Sequence, residues 1–371
     1  MLIIEKDRKN KTAVICPIDK SYPAALTNED INERLAEATG LVTAMGQAVV
    51  FSLSVKLLKP HAGTYFGKGN IARIKEQCLQ NEAELVVVDS KLTPVQQRNL
   101  EKELNLKVID RTAVILEIFG ARAQTKEGKL QVELAHLTYQ RGRLVRSWTH
   151  LERQRGGGGF LGGPGETQIE LDRRHLDERI LKIKKELEKV KQTRRIQRSA
   201  RTKVPYPTVA LVGYTNAGKS TLFNYITKAG VFAENMLFAT LDPTMRKVDL
   251  GGLEVILSDT VGFISNLPHE LVMSFRATLE EVLEAEIILH VIDISNPHYK
   301  EQRADVLEVL HELGLEQVET TPRYIEVLNK IDKSDSSKRP SNAGTIAVSA
   351  LTGEGVDTLL NRLKSYFNKT S

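Results

Sequence analysis

One octapeptide constrains the fold of this chain more than any other feature: Gly213-Tyr214-Thr215-Asn216-Ala217-Gly218-Lys219-Ser220. It follows the short apolar run Thr208–Val212, which reads as a buried strand, and precedes a helical stretch opening at Thr221. G-x-x-x-x-G-K-S between a strand and a helix is a phosphate-binding P-loop. Its glycines permit a tight wrap in which backbone N–H groups turn inward onto phosphates. The helix N-terminus adds positive potential. Lys219 is placed to reach the β- and γ-phosphates, and the Ser220 hydroxyl to bind Mg²⁺. Residues 213–221 are therefore expected to cradle a nucleoside triphosphate, on an α/β domain with a central, mostly parallel sheet.

Three further segments follow in the order a GTPase requires. Val255–Leu257 reads as a strand closed by Asp259-Thr260-Val261-Gly262. Asp259 is expected to hold Mg²⁺ through water, and the Gly262 N–H to meet the γ-phosphate. Tyr324–Leu328 reads as a strand ending in Asn329-Lys330-Ile331-Asp332. The Asp332 carboxylate can accept from both N1–H and the 2-amino group of guanine. Adenine offers no such donor pair, so this residue selects GTP over ATP. Ile346–Val348 then leads to Ser349-Ala350-Leu351, where a backbone N–H can meet guanine O6. Between the P-loop and Asp259 lies Phe238-Ala239-Thr240-Leu241-Asp242-Pro243-Thr244. A threonine here would complete Mg²⁺ coordination only with γ-phosphate present; Thr240 is the first choice and Thr244 the second. Lys219, Thr240 and Gly262 are the expected catalytic group. Phe263 follows Gly262, where many GTPases place a glutamine that orients the attacking water. Phenylalanine has no hydrogen-bonding group, so intrinsic hydrolysis is expected to be slow or to rely on a group from elsewhere. Asn216 offers one route, because GTPases whose P-loop reads N-x-G-K-S often hold a K⁺ ion with that residue; alternatively it braces the loop.

The rest of the chain divides by pattern into residues 1–110, 111–203 and 204–371. In the first, apolar runs (Thr12–Ile18, Ala48–Val55, Leu85–Asp89, Leu106–Ile109) alternate with helical stretches, one capped near Asn28 and one opening at Pro94. That alternation predicts a second α/β layer with a largely parallel sheet. In the middle region Leu130, Leu134, Leu137 and Leu144, and then Ile169, Leu176, Ile180, Ile183, Leu187 and Val190, recur at heptad-like spacings. Two such helices joined by a loop make an antiparallel hairpin.

Residues 141–203 hold 18 Lys/Arg against 8 Asp/Glu, a surplus of ten; the other 308 residues hold 34 against 39. An excess of this kind in an otherwise acidic chain is either a solvated helix face or an electrostatic footprint for a polyanion. The joint between the helices favours the footprint. Residues 156–165 carry seven glycines around Phe160 and Leu161. Arg141, Arg143, Arg146, Arg153 and Arg155 lead in, and Arg173, Arg174 and Arg179 follow. Flexible linkers usually carry Ser and avoid Phe and Leu. Glycine lets backbone approach a partner closely, and arginine pairs with phosphate and stacks on bases. Gly158, Phe160 and Leu161, with Arg153 and Arg155, are the expected contacts.

Other classes are excluded more simply. No apolar run approaches the roughly 18 residues that a membrane span needs. The charges of MLIIEKDRKNK stand in the wrong order for a secretory signal. Two cysteines, Cys16 and Cys78, make no disulfide framework. A cytosolic protein is expected.

The segments GYTNAGKSTLFN, LFATLDPT, SDTVGFI and NKID, with GTYFGKGN, ARAQTKEGKLQVELAHLTYQ and GGGGFLGGPGETQIELDRR, resemble the HflX family of translation-factor-related GTPases over nearly the whole chain. The resemblance implies a ribosome-associated GTPase; GTP/GDP and Mg²⁺ are the expected cofactors, K⁺ is one of the two readings of Asn216, and a monomer is expected. The same resemblance implies binding to the large (50S) subunit, with the hairpin and glycine loop near the peptidyl transferase centre. It also implies splitting or rescue of stalled or stress-arrested ribosomes, and a part in large-subunit assembly. ATP hydrolysis by the N-terminal region, found in some members, is not carried over, because no second P-loop stands there. Nor is any function of the extra C-terminal domain of some relatives, since 22 residues follow Ser349. Two rival readings are an RNA-modification or RNA-remodelling GTPase acting away from the intact ribosome, and a GTP-sensing regulator of a protein partner. The first should show a catalytic constellation outside the GTPase segments, and none is visible. The second predicts no salt-dependent RNA binding.

Overall fold

A computed structural model describes residues 9–18, 27–154, 164–201, 206–228, 237–238, 241, 243–265, 267, 271, 281–334 and 344–370. The chain separates into two compact units, residues 1–121 with 133–184, and residues 122–132 with 185–371.

In the first unit β1 (Lys11–Ile18), β2 (Ala48–Lys56), β3 (Leu85–Val88) and β4 (Lys107–Asp110) form a wholly parallel sheet in the order β2-β1-β3-β4. All four residues of β3 are buried, the continuous apolar run of a strand covered on both faces. The crossovers are α1 (Asn28–Ala44), α2 (Lys68–Gln80) and α3 (Pro94–Leu104). Thr27, one residue before the Asn28 read from sequence, caps α1 in a reciprocal capping box with Asp30. Thr93 and Gln96 form another around Pro94. A further helix not expected from the sequence, α4 (Arg111–Arg122), begins directly after β4. Its first six residues are all buried, so it shows no polar face to give its period away.

Two long helices follow, α5 (Lys126–Gln154) and α6 (Pro164–Arg201). Arg179 pairs with Glu133 at 2.6 Å and Arg141 with Asp177 at 2.7 Å, so they run antiparallel as the leucine spacing predicts. Such exposed ion pairs contribute little. The apolar seam does more: Ile180 and Ile183 are buried, and Leu134, Leu137 and Leu176 are half-buried. Asp110, at the end of β4 and wholly buried, accepts from the Tyr139 hydroxyl (2.8 Å) and from Arg143 (3.1 Å), fixing α5 to the sheet.

The second unit holds a six-stranded sheet in the order β10-β9-β8-β5-β7-β6. Its strands are β5 (Thr208–Val212), β6 (Thr244–Asp249), β7 (Glu254–Asp259), β8 (Ile287–Asp293), β9 (Tyr324–Asn329) and β10 (Thr345–Ala347). All pairs are parallel except the edge pair β6–β7. The helices α7 (Lys219–Thr227), α8 (Tyr299–Glu312) and α9 (Val356–Thr370) complete it. Val209, Leu211, Phe223, Leu289, Val327 and Leu363 pack into one core. Among the described residues no helix is long and apolar enough to cross a membrane. The α/β architecture expected from the sequence, a parallel layer with a helical hairpin followed by a P-loop domain, is the one found.

Candidate functional site

Parallel pairing puts the C-terminal ends of β5, β7, β9 and β10 along one edge of the second sheet. In such sheets ligands bind outside the carboxyl ends of the strands. The P-loop leaves β5, Asp259 ends β7, Asn329 ends β9, and Ser349 follows β10 two residues on. Four segments spread over more than 130 residues of sequence therefore meet because the strand order makes them neighbours.

Within the P-loop Gly218 has φ +95°, and a Cβ there would lie 2.2 Å from Asn329 Nδ2, so only glycine fits. Asn216 is exposed and left-handed, with φ 61°. Lys219 is buried and donates to the Gly213 and Tyr214 carbonyls at 3.0 and 2.8 Å. Burial pushes its ammonium pKa down from 10.5 to about 8, while Asp259 pulls the other way. An anion beside it would restore the charge. The Ser220 hydroxyl donates to Asp259 Oδ2 at 2.7 Å, which brings two hard oxygens together at the mouth of the P-loop helix. Among the described residues no cluster of three or more His, Cys, Asp or Glu stands ready for a metal. Mg²⁺ needs no such cluster, since it takes one or two protein oxygens together with waters and substrate phosphates. The Ser220–Asp259 pair has the donor chemistry for that role.

The segment after Asp259 lies against the P-loop. A Cβ on Gly262 would stand 2.8 Å from Thr215 Cγ2 and 3.0 Å from Lys219 Nζ. Phe263 is buried, and its backbone is laced to the P-loop at both ends: its N–H donates to the Gly213 carbonyl (3.1 Å), and its carbonyl accepts from the Thr215 N–H (2.6 Å). The Tyr214 hydroxyl accepts from the Ser265 N–H at 2.7 Å.

Asn329 joins three loops. Its Nδ2 donates to the Ala217 carbonyl (2.8 Å), and its Oδ1 accepts from the Ala350 N–H (2.9 Å). Lys330, left-handed at φ 65°, pairs with Asp293 at the end of β8 at 2.6 Å. Asp332 is exposed, and its Oδ1 accepts from the buried Ser349 hydroxyl at 2.6 Å. Ser349 thus serves the carboxylate, and Tyr214 serves the Gly262 segment. Sequence reasoning gives neither residue this role, and it misses Asp293 and Ser265. Thr240, Arg155, Gly158, Phe160 and Leu161 lie outside the described residues, as does the Arg153 side chain.

Three family models match in sequence: GTP-binding GTPase N-terminal over residues 32–120, GTP-binding GTPase Middle Region over 122–201, and 50S ribosome-binding GTPase over 208–330. The GTPase HflX of Magnetococcus marinus is 54% identical over 344 residues, covering 91% of this chain and 79% of that protein. The chain belongs to the HflX family of GTPases. The Escherichia coli GTPase HflX is 45% identical over 347 residues, covering 91% and 80%. A crystal structure of SsGBP in complex with GDP shares the fold at TM-score 0.51 and 24% identity, covering 97% of this chain and 99% of that one. As a member of the HflX family the chain binds guanine nucleotide and hydrolyses GTP.

Proposed function

We propose that this GTPase acts on the ribosome, binding the large subunit and splitting or rescuing stalled or stress-arrested particles, with a further part in large-subunit assembly. The observation that carries the reading is a P-loop bonded to Asp259 and Asn329 on the same chain as an antiparallel hairpin whose sequence holds a surplus of ten positive charges over 141–203. Ribosomal RNA is a polyanion whose exposed bases accept stacking and close backbone contact. Arg153 and Arg155 would supply charge, and Gly158 with the apolar Phe160 and Leu161 would make the contacts near the peptidyl transferase centre. The description of the model matching residues 208–330 supports the 50S subunit as partner. Residues 1–110, 111–203 and 204–371 are the working divisions: support, probe and switch. The protein works as a monomer in the cytoplasm.

At the nucleotide, residues 213–221 wrap the phosphates. Lys219 binds the β- and γ-oxygens, Gly262 N–H meets the γ-phosphate, and Asp332 reads the guanine edge beside Ser349 and Ala350. Ser220, Asp259 and Thr240 hold Mg²⁺, which supplies charge neutralisation at the β- and γ-phosphates. Asn216 holds K⁺. GTP orders the Thr240 and Gly262 segments, the ordered form fits the ribosome, and hydrolysis releases it.

The test is GTP turnover in K⁺ buffer with the protein alone and with added 30S, 50S or 70S particles. Strong stimulation by 50S and 70S, and not by 30S, is expected. GTP binding without stimulation by any particle would remove the ribosome reading and leave RNA remodelling or protein regulation in its place.

A further inference from the structure

We propose that Tyr214 is a positioning residue for GTP hydrolysis, holding the Gly262 segment on the P-loop where its N–H engages the γ-phosphate. The inference rests on the nucleotide-site reading above and deepens it.

Three contacts carry it. Gly262 lies against Thr215 and Lys219, the lysine that serves the β- and γ-phosphates. Phe263 is tied to the P-loop through both its N–H and its carbonyl. Two residues on, the Ser265 N–H donates to the Tyr214 hydroxyl at 2.7 Å. The two Phe263 bonds make Tyr214 and Phe263 an isolated parallel bridge. The chain after Gly262 is therefore added to the P-loop as a short strand, with one side-chain bond at its far end. Of the three hydrogen bonds named here, the phenol's is the one made by a side chain. It can be removed without touching backbone.

The position explains an otherwise awkward residue. Tyr214 occupies a variable place in G-x-x-x-x-G-K-S, and its ring is buried. A small residue would leave the Ser265 N–H without this acceptor. Phe263 cannot orient water, but with its side chain buried it can anchor the backbone that follows Gly262. Tyr214 and Phe263 together fix one peptide, Gly262, where charge on the γ-phosphate must be met. Preorganised backbone donors of this kind favour the state that carries the extra charge. GDP has no γ-phosphate and gains nothing from them.

Tyr214→Phe deletes the hydroxyl and keeps the ring. Affinities for a fluorescent GDP and for a non-hydrolysable fluorescent GTP analogue, measured side by side with single-turnover hydrolysis, decide the matter. A net hydrogen bond is worth a factor of about five, so analogue affinity should fall about fivefold and GDP affinity should change by less than about twofold. Single-turnover hydrolysis should slow as well. Equal losses for both nucleotides would make Tyr214 a merely structural residue and overturn the proposal. Unchanged analogue affinity, or tighter analogue binding, would overturn it too, the latter by showing that the contact locks the segment away from the γ-phosphate. Wild-type protein that binds neither nucleotide would instead sink the nucleotide-site reading itself. Ser265→Ala keeps the backbone N–H and should leave the analogue-to-GDP ratio at its wild-type value; a fall matching that of Tyr214→Phe would assign the effect to side-chain packing and overturn the proposal.

Discussion

Asn329→Ala removes the side chain that ties the P-loop to the guanine loops. The orientation of the amide is settled by its partners: the Ala217 carbonyl needs a donor and the Ala350 N–H an acceptor, so Nδ2 faces the first and Oδ1 the second. Both partner residues are buried, at 1% and 5% exposure, so water does not readily replace what is lost. An orphaned buried backbone group costs about 1–3 kcal/mol, and two are left behind, so the variant should lose about 2–6 kcal/mol. That is a large share of the roughly 5–15 kcal/mol that holds a domain folded. At about 2–4 °C per kcal/mol for a domain of this size, the melting temperature of the nucleotide-free protein should drop by roughly 4–24 °C.

Nucleotide affinity should fall as well, because Gly218 packs against Asn329 Nδ2 and the loop loses that wall. The assay is thermal unfolding with and without GDP, beside a GDP titration. A melting temperature within about 1 °C of wild type would refute the claim that these two bonds are desolvated. Asn329→Asp refines the test. The carboxylate still accepts from Ala350 but now faces the Ala217 carbonyl, so its folded pKa must rise above the ordinary value for Asp. A group of that kind stabilises below its unfolded pKa, and the contribution is lost as pH rises through the folded pKa. The aspartate variant should therefore melt closer to wild type at pH 5 than at pH 8.

Asp332→Asn should cut GTP affinity about 100-fold, since charge-assisted bonds are worth about 1.5–3 kcal/mol each, and should move preference toward xanthine nucleotides; retained GTP affinity in a competition titration would remove Asp332 as the guanine reader. Lys219, at about 8 against 10.5, favours its neutral form in the fold, so its contribution makes stability rise with pH between those values. Bound phosphate restores the charge, so GDP binding at pH 8.5 should take up protons and be weaker than at pH 7, read by calorimetry in buffers of different ionisation enthalpy. Arg153→Glu with Arg155→Glu should weaken 50S binding and flatten the slope of log affinity against log salt by about two, at roughly 0.9 per phosphate contact; an unchanged slope removes both from the RNA interface.

The legibility of this chain in its sequence follows the range of the forces involved. GYTNAGKS, DTVG, NKID and SAL are local in sequence, and each carries its chemistry in consecutive residues, so the nucleotide site could be read before the sheet order was known. Eight of the ten strands, all but β6 and β8, were readable for the same reason, since a buried strand is a continuous apolar run. Helix α4 was not, because its first six residues are all buried and leave no periodic contrast. The antiparallel edge strand β6, with Arg246 and Lys247 exposed in its middle, has no apolar run to announce it.

The contacts that organise the site were hidden for a different reason. Ser349 meets Asp332 across 17 residues, Lys330 meets Asp293 across 37, and Ser265 meets Tyr214 across 51. None of these distances has a period, and each exists only once the parallel strands have been laid side by side. Phe263 shows the consequence most clearly. Read in sequence it is a glutamine that is missing, a loss of water-orienting chemistry. In the fold its ring is buried, and its peptide is stitched to Gly213 on one side and Thr215 on the other. An apolar side chain can do this where glutamine cannot without burying an amide that needs its own partners. The residue that stands where a glutamine would orient water is thus the one whose backbone ties the chain beside Gly262 to the P-loop. A GTPase built in this way should wait, with its γ-phosphate sensor in place, for the missing water-orienting group to arrive from a partner.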